Sequence, residues 1–293
     1  MSDILKKALE RTEREKGGAR IASEPLETAA ASPPVEKPGP APVFERKLEK
    51  SRFAAPVRPG SPAAKTRPRG ESQTRTTAFD PELLDDFKIL HDCRIHPAAD
   101  QVKIFRTQML HRLLGIEGNS VLITSPGPGT GKTINAINVA ISIAQEVDRT
   151  VLLIDANLRH PTVHKYFGIS EEKGLADFLL GKAHIPDLMI NPGINKLTVL
   201  PGGRPLLTSS EMLGAAKMAE LVNEMKHRYE DRILVFDGPD ILTNADALVF
   251  SRLVDGIIMV VEAEKTTRQE VREAVERLSG TRLLGTILNK FRD

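Results

Sequence analysis

Ten residues, Thr124 to Thr133, read TSPGPGTGKT and constrain this chain more than any other stretch. They follow the apolar run Val121-Leu122-Ile123 and precede residues 134–147, INAINVAISIAQEV, where apolar residues recur at helical spacing. A short strand, a glycine-rich loop ending in Gly-Lys-Thr and a helix make the layout of a P-loop. Glycines let backbone N–H groups converge on phosphate oxygens at a helix N-terminus. Gly127, Gly129, Thr130 and Gly131 supply that backbone, Lys132 reaches the β- and γ-phosphates, and the Thr133 hydroxyl holds Mg²⁺. The strict pattern has a glycine six residues before the lysine, and here that position is Pro126. A glycine-rich turn at a helix start is the alternative for an isolated motif. Strand, loop and helix are all in place here, so a nucleotide with Mg²⁺ is the expected ligand.

The regions before the loop set its context. Residues 1–78 carry 16 lysines and arginines against 10 acids, net +6, whereas residues 79–293 carry 25 against 29, net −4. A mildly acidic globular part argues against a nucleic-acid surface. The single cysteine, Cys93, excludes an internal disulfide and a thiolate zinc site, and fits a reducing compartment. No stretch approaches the ~18 apolar residues of a membrane span. The start, MSDILKKALERTEREK, is charged from residue 3 and has no apolar centre, unlike a secretory signal. These features predict a cytoplasmic protein that reaches the inner face of a membrane only through a partner. Residues 1–16 predict a short amphipathic helix with Ile4, Leu5, Ala8 and Leu9 on one face. It reads equally as a docking helix or a solvated end. Residues 17–78 hold 10 of the 20 prolines and predict a disordered linker.

From residue 79 onward the pattern alternates. Residues 81–91 and 98–114 predict helices, and strands are expected at 120–124, 150–154, 197–200, 232–236, 256–262 and 283–288 with helices between them. The expected fold is α/β: a P-loop NTPase domain over 79–293 with a mostly parallel sheet and helices on both faces. Ligands of such folds sit beyond the carboxyl ends of the strands. Two further segments end strands there, VLLIDANLRHP at 151–161 and ILVFDGPD at 233–240. Asp155 and Asp237 thus stand at the ligand edge. Either alone reads as a helix cap, but two beside a P-loop, together with Thr133, form the expected Mg²⁺ cage.

These three segments, with Ala245-Asp246-Ala247, GIIMVVEAEKTTRQEV at 256–271 and LLGTILNK at 283–290, resemble the Walker A, A′ and B set of the bacterial tyrosine kinases. The resemblance covers about residues 98–293 and is similar to the short cytoplasmic form linked to exopolysaccharide export, including exosortase-associated systems. It implies an ATP-dependent protein-tyrosine kinase, assembled as a homo-oligomer and activated by a membrane polysaccharide co-polymerase or chain-length protein. It further implies Asp155 as general base for a tyrosine hydroxyl, Arg159 as the arginine after the A′ motif, Asp237 as a Mg²⁺ ligand and Asn289 as the reader of the adenine edge. Asn289 reads equally as a strand-end turn residue.

The departures point the other way. The second acid of the family's A′ motif is Asn157, which cannot carry charge or take a proton. Asp100, Lys103 and Arg106 stand where the family's oligomerising helix has an acid and two arginines, a weakened version that reads equally as a solvated helix face. The chain ends NKFRD with no tyrosine-rich tail, and Tyr166 and Tyr229, its only tyrosines, fall in segments expected to pack. A kinase acting on a tyrosine of another protein and a catalytically weak ATP-binding switch both remain open. A septum-positioning or partition ATPase would carry a lysine at the position of Gly127.

Overall fold

The computed structural model describes residues 75–77, 80–90, 98–170 and 173–291. The expected helix at 1–16 and most of the expected linker lie outside the described residues, as does Cys93. Eight strands form one sheet: β1 (Arg75–Thr76), β2 (Ser120–Thr124), β3 (Thr150–Asp155), β4 (Ile190–Asn191), β5 (Leu197–Leu200), β6 (Arg232–Asp237), β7 (Gly256–Glu262) and β8 (Leu283–Asn289). Their order is β1-β4-β5-β3-β6-β2-β7-β8, parallel at every pairing except the antiparallel β4–β5. The six strands expected from the apolar runs are all present. Sequence reasoning missed β1 and β4, which are too short to show a period. β1 lies within the 17–78 segment expected to be linker, and its Arg75 pairs with Ile190.

The alternation of side chains along each strand divides the interior in two. Val121 and Ile123, Val151 and Leu153, Ile233 and Val235 face one core together with Met109, Leu113, Ile137 and Ile141. Leu122, Leu152, Ile154, Leu234 and Phe236 face a second core against Met218, Leu221, Phe250 and Leu278. Strands covered on both faces must be apolar on both, which is why their sequences run without polar interruption. The same period-two rule puts Asp155 and Asp237 on the face of the helix Lys132–Ala144, whose N-terminus is the P-loop.

Two helix limits differ from expectation. The 81–91 helix ends at Asp86, because Lys88 adopts φ 60 and the chain turns so that the Leu90 N–H meets Asn138 Oδ1 at 2.8 Å. The helix expected over 134–147 spans Lys132–Ala144: it starts in the loop itself, at Gly131 with φ 95. Arg106 also departs from expectation. It donates to the Ser142 carbonyl at 2.9 Å and pairs with Glu146 at 2.8 Å, fastening Ala98–Leu114 to the P-loop helix. Lys103 pairs with Asp100 on its own helix at 3.1 Å.

At the opposite edge of the sheet, Asp255 accepts from the N–H groups of Asn119 and Ser120, from Ser120 Oγ at 2.8 Å, and from Lys226 Nζ. Burial pushes its carboxyl up, but these donors outweigh burial and hold it below the usual carboxylate range. A depressed folded pKa gives stability that is present above the unfolded value and is lost as pH falls through the folded one. Asp255→Ala is therefore expected to cost about 2 kcal/mol at pH 7. The gap from the parent should close in acid, as urea titrations at several pH values would record.

Candidate nucleotide site

The P-loop leaves β2 and turns through two left-handed glycines, Gly129 at φ 75 and Gly131 at φ 95. Open space surrounds a Cβ placed on Gly127 or Gly129, whereas one on Gly131 would collide with the Asn289 amide. At Pro126 the backbone is not left-handed, so the loop needs no glycine there; the Pro126 carbonyl accepts from the Leu242 N–H at 3.1 Å, and Ser125 Oγ donates to the Gly127 carbonyl at 2.6 Å. Lys132 opens the helix and is buried. Next to it, Thr133 Oγ1 donates to Asp237 Oδ2 at 2.7 Å.

Both strand-end acids are fully buried and stand opposite one another in the β3–β6 register. Asp237 Oδ1 is buried with no hydrogen-bond partner among the described residues. Burial pushes the Asp237 pKa up to about 6, against the pull of the Thr133 hydroxyl and the Lys132 charge. An acceptor oxygen left unpaired at such depth is costly unless a cation or water completes it. Asp155 is more fully engaged. Its Oδ1 accepts from the Asn157 N–H at 3.2 Å, and its Oδ2 from Thr162 and Val163 at 2.8 and 3.0 Å. It therefore ties down the loop after β3 and starts the helical turn Val163–Tyr166. Burial, then the nearby Asp237, raise its pKa despite those donors. Asn157 Oδ1 accepts from the His160 N–H at 3.4 Å, within that same loop.

Of the expected residues, Gly127, Gly129, Thr130, Gly131, Lys132, Thr133 and Asp237 come together. Asp155 faces Asp237 from the neighbouring strand. Asn289 also arrives, from β8, and its amide donates to the Thr130 carbonyl at 2.7 Å. Arg159 instead pairs with Asp246 at 3.6 Å. Sequence reasoning missed the clamp beside Asn289: Lys290 donates to the Gly129 carbonyl at 2.8 Å while pairing with Glu262 at 3.1 Å. The only signal was a lysine directly after the strand-end asparagine. A groove of about 590 Å³ along Arg268, Arg272 and Glu276 is lined by exposed charged side chains of one helix and lacks buried acids.

No family model matches the chain. The tyrosine-protein kinase YwqD of Bacillus subtilis is 35% identical over 193 residues, which is 65% of this chain and 80% of YwqD. The chain belongs to the bacterial tyrosine kinase family. The tyrosine-protein kinase Etk of Escherichia coli is 31% identical over 194 residues, 66% of this chain but 26% of that longer protein. Among solved structures, the kinase domain of Etk superposes with TM-score 0.66 at 30% identity, covering 75% of this chain and 84% of that domain. The chimerical protein CapA2B2 gives 0.64 at 27%, covering 75% and 94%. A septum site-determining protein MinD with Mg-ADP, from Pyrococcus horikoshii, covers 59% of this chain and 70% of that one with TM-score 0.50 at 23% identity, a likeness of fold alone. The fold of the bacterial tyrosine kinase domains is thus the expected α/β fold with a mostly parallel sheet, and MinD shares it. Among the described residues no helix is long and apolar enough to cross a membrane.

Proposed function

We propose that this chain binds ATP with Mg²⁺ at the P-loop and transfers the γ-phosphate to a tyrosine of another protein in exopolysaccharide biosynthesis. The observation that carries the reading is the buried pair of Thr133 and Asp237: one oxygen of the carboxylate holds the hydroxyl, the other is unpartnered. That donor set suits a hard cation beside phosphates. When bound, Mg²⁺ neutralises charge on the β- and γ-phosphates. Lys132 adds a second positive charge, and the N–H groups about Gly129 and Gly131 bind phosphate oxygens. Asp155 is the candidate general base: its Oδ1 keeps an acceptor site beyond the Asn157 bond, and burial, then Asp237, raise its pKa, which strengthens it as a proton acceptor. Asn289, which the reading assigns to the adenine edge, holds the loop through the Thr130 carbonyl.

In this reading the acceptor or activator is a membrane polysaccharide co-polymerase, which recruits the chain to the membrane, and the kinase domain is a homo-oligomer. With Arg106 engaged inside the chain, an oligomer contact on Ala98–Leu114 would use Asp100, Lys103 and the exposed Ile104. The test is mass spectrometry of the purified protein with MgATP and its neighbouring co-polymerase. Phosphotyrosine that disappears in Lys132→Ala supports the kinase. ATP turnover without phosphotyrosine supports the second reading, a nucleotide switch, which Asn157 favours by leaving the A′ loop one charge short.

The two tyrosines differ, contrary to the expectation that both pack. Tyr166 is half-buried against Phe87 at 4.8 Å between ring centroids, and burial, then Asp237, raise its pKa. Tyr229 is 40% exposed, with the Arg232 guanidinium 4.0 Å from its ring centre. It precedes β6, at the far end of the strand from Asp237, and six residues of strand span roughly 20 Å. Tyr166 is therefore expected to stay unphosphorylated in MgATP. Any phosphate on this chain should appear on Tyr229 at a rate that rises with protein concentration, as an intermolecular reaction requires. Peptide mapping at two concentrations would check both statements.

A further inference from the structure

Asp246 is a completely buried carboxylate to which the proposed chemistry assigns no role. It opens the helical turn Asp246–Phe250, after the segment that leaves Asp237. Two hydroxyl donors and one cation, from two other segments, converge on it. Ser209 Oγ donates to Oδ2 at 2.5 Å, and Ser210 Oγ donates to Oδ1, both from the turn Ser209–Leu213. Arg159, from the A′ loop, places Nε 3.6 Å from Oδ2. That Nε is buried and makes no hydrogen bond among the described residues. The Asp246 charge is therefore its compensation at that depth, at a distance of attraction rather than of a bond.

The surrounding backbone gives this cluster its reach. Leu206 N–H donates to the Leu158 carbonyl at 2.8 Å, joining the segment after β5 to the A′ loop. Ile241 and Leu242 donate their N–H groups to the carbonyls of Ser125 and Pro126 at 2.9 and 3.1 Å, joining the segment before Asp246 to the P-loop. One buried charge thus stands where three loops at the ligand edge meet, and one of those loops is anchored on the P-loop. A neutral side chain of the same shape would leave the Arg159 guanidinium without its counter-charge and free to swing toward solvent, since a third of that side chain is already exposed.

We infer that Asp246 is a positioning residue: with the hydroxyls of Ser209 and Ser210 orienting its carboxylate, it fixes the Arg159 guanidinium at the edge of the nucleotide site. The consequence for phosphoryl transfer rests on the kinase reading. The positioning itself does not. Two measurements separate them. Arg159 Nε–H, assigned by its loss in Arg159→Lys, is followed by ¹⁵N NMR of the whole chain. In the parent it should be shifted and protected from exchange, and in Asp246→Asn it should move to the position of free arginine. An unmoved signal overturns the inference whether or not the protein is a kinase. In single-turnover phosphorylation of a tyrosine substrate, Asp246→Asn should slow the chemical step tenfold or more with ATP affinity changed less than twofold. Arg159→Lys should add little to that loss. Full rate in Asp246→Asn, or losses that multiply in the double variant, would overturn the role in transfer. A parent without phosphoryl transfer would instead overturn the kinase reading and leave the NMR result to decide the positioning. If Asp246→Asn does not fold, Ser209→Ala/Ser210→Ala keeps the charge and removes the hydroxyls that orient it. The Arg159 signal should then broaden or shift, and an unchanged signal contradicts the inference.

Discussion

Lys132→Ala is expected to weaken ATP binding about 100-fold, because truncating one partner of a buried charge pair typically costs ~3 kcal/mol. Lys132 is 8% exposed and stands first in the helix Lys132–Ala144, where its ammonium is the positive charge that lowers the Asp237 pKa. Without it, the phosphate oxygens would lose the protein's own positive charge and meet only Mg²⁺ and backbone dipoles beside two buried acids. The fold has little stake in this side chain. Alanine is a good helix former, and the backbone N–H groups of the loop remain. Thermal unfolding without nucleotide should therefore change little while calorimetric ATP affinity collapses. Equal affinity in the two proteins would remove the P-loop assignment.

Asp237→Asn should abolish the tightening of nucleotide binding by Mg²⁺ while leaving metal-free binding nearly intact. The substitution keeps an oxygen for the Thr133 hydroxyl and removes the charge that the unpaired Oδ1 carries. The wild-type protein supplies a second handle. Asp237 has a pKa pushed up to about 6 by burial, and a proton on it competes with the cation. The Mg²⁺ effect should thus fade as pH falls through 6 and be full at pH 8, whereas the asparagine variant should show no such pH dependence. Titrations with and without Mg²⁺ at pH 5.5, 7 and 8 read both outcomes. Identical Mg²⁺ enhancement in parent and variant would place the metal elsewhere.

Much of this site was legible because its residues obey short-range rules. The glycine-rich loop, the apolar strand before it and the amphipathic run after it are consecutive. The two acids end apolar strands in the parity that faces the P-loop helix. What sequence could not reach depends on where loops return. The A′ loop folds back so that Asp155 binds its own following backbone, which no spacing of residues announces. Arg159 meets Asp246 across 87 positions of chain, and Lys290 meets Gly129 across 161. The helix 98–114 was legible from its period, but the inward reach of Arg106 to Glu146 was not, since a long side chain on a half-buried face can turn either way. β1 and β4 were missed because two-residue strands carry no alternation, and Tyr229 because a residue beside a core strand need not enter the core.

The most direct measurement of the central claim is a crystal structure of the protein with Mg²⁺ and a non-hydrolysable ATP analogue. The account predicts phosphate oxygens within hydrogen-bond distance of the N–H groups from Gly129 to Thr133, with Lys132 Nζ on the β- and γ-phosphates. It predicts Mg²⁺ at about 2.1 Å from Thr133 Oγ1, with Asp237 Oδ1 on the metal or on one of its waters. The Thr133–Asp237 hydrogen bond should be replaced by those contacts. A nucleotide bound away from residues 127–133, or a metal with neither Thr133 nor Asp237 in its shell, would contradict the account.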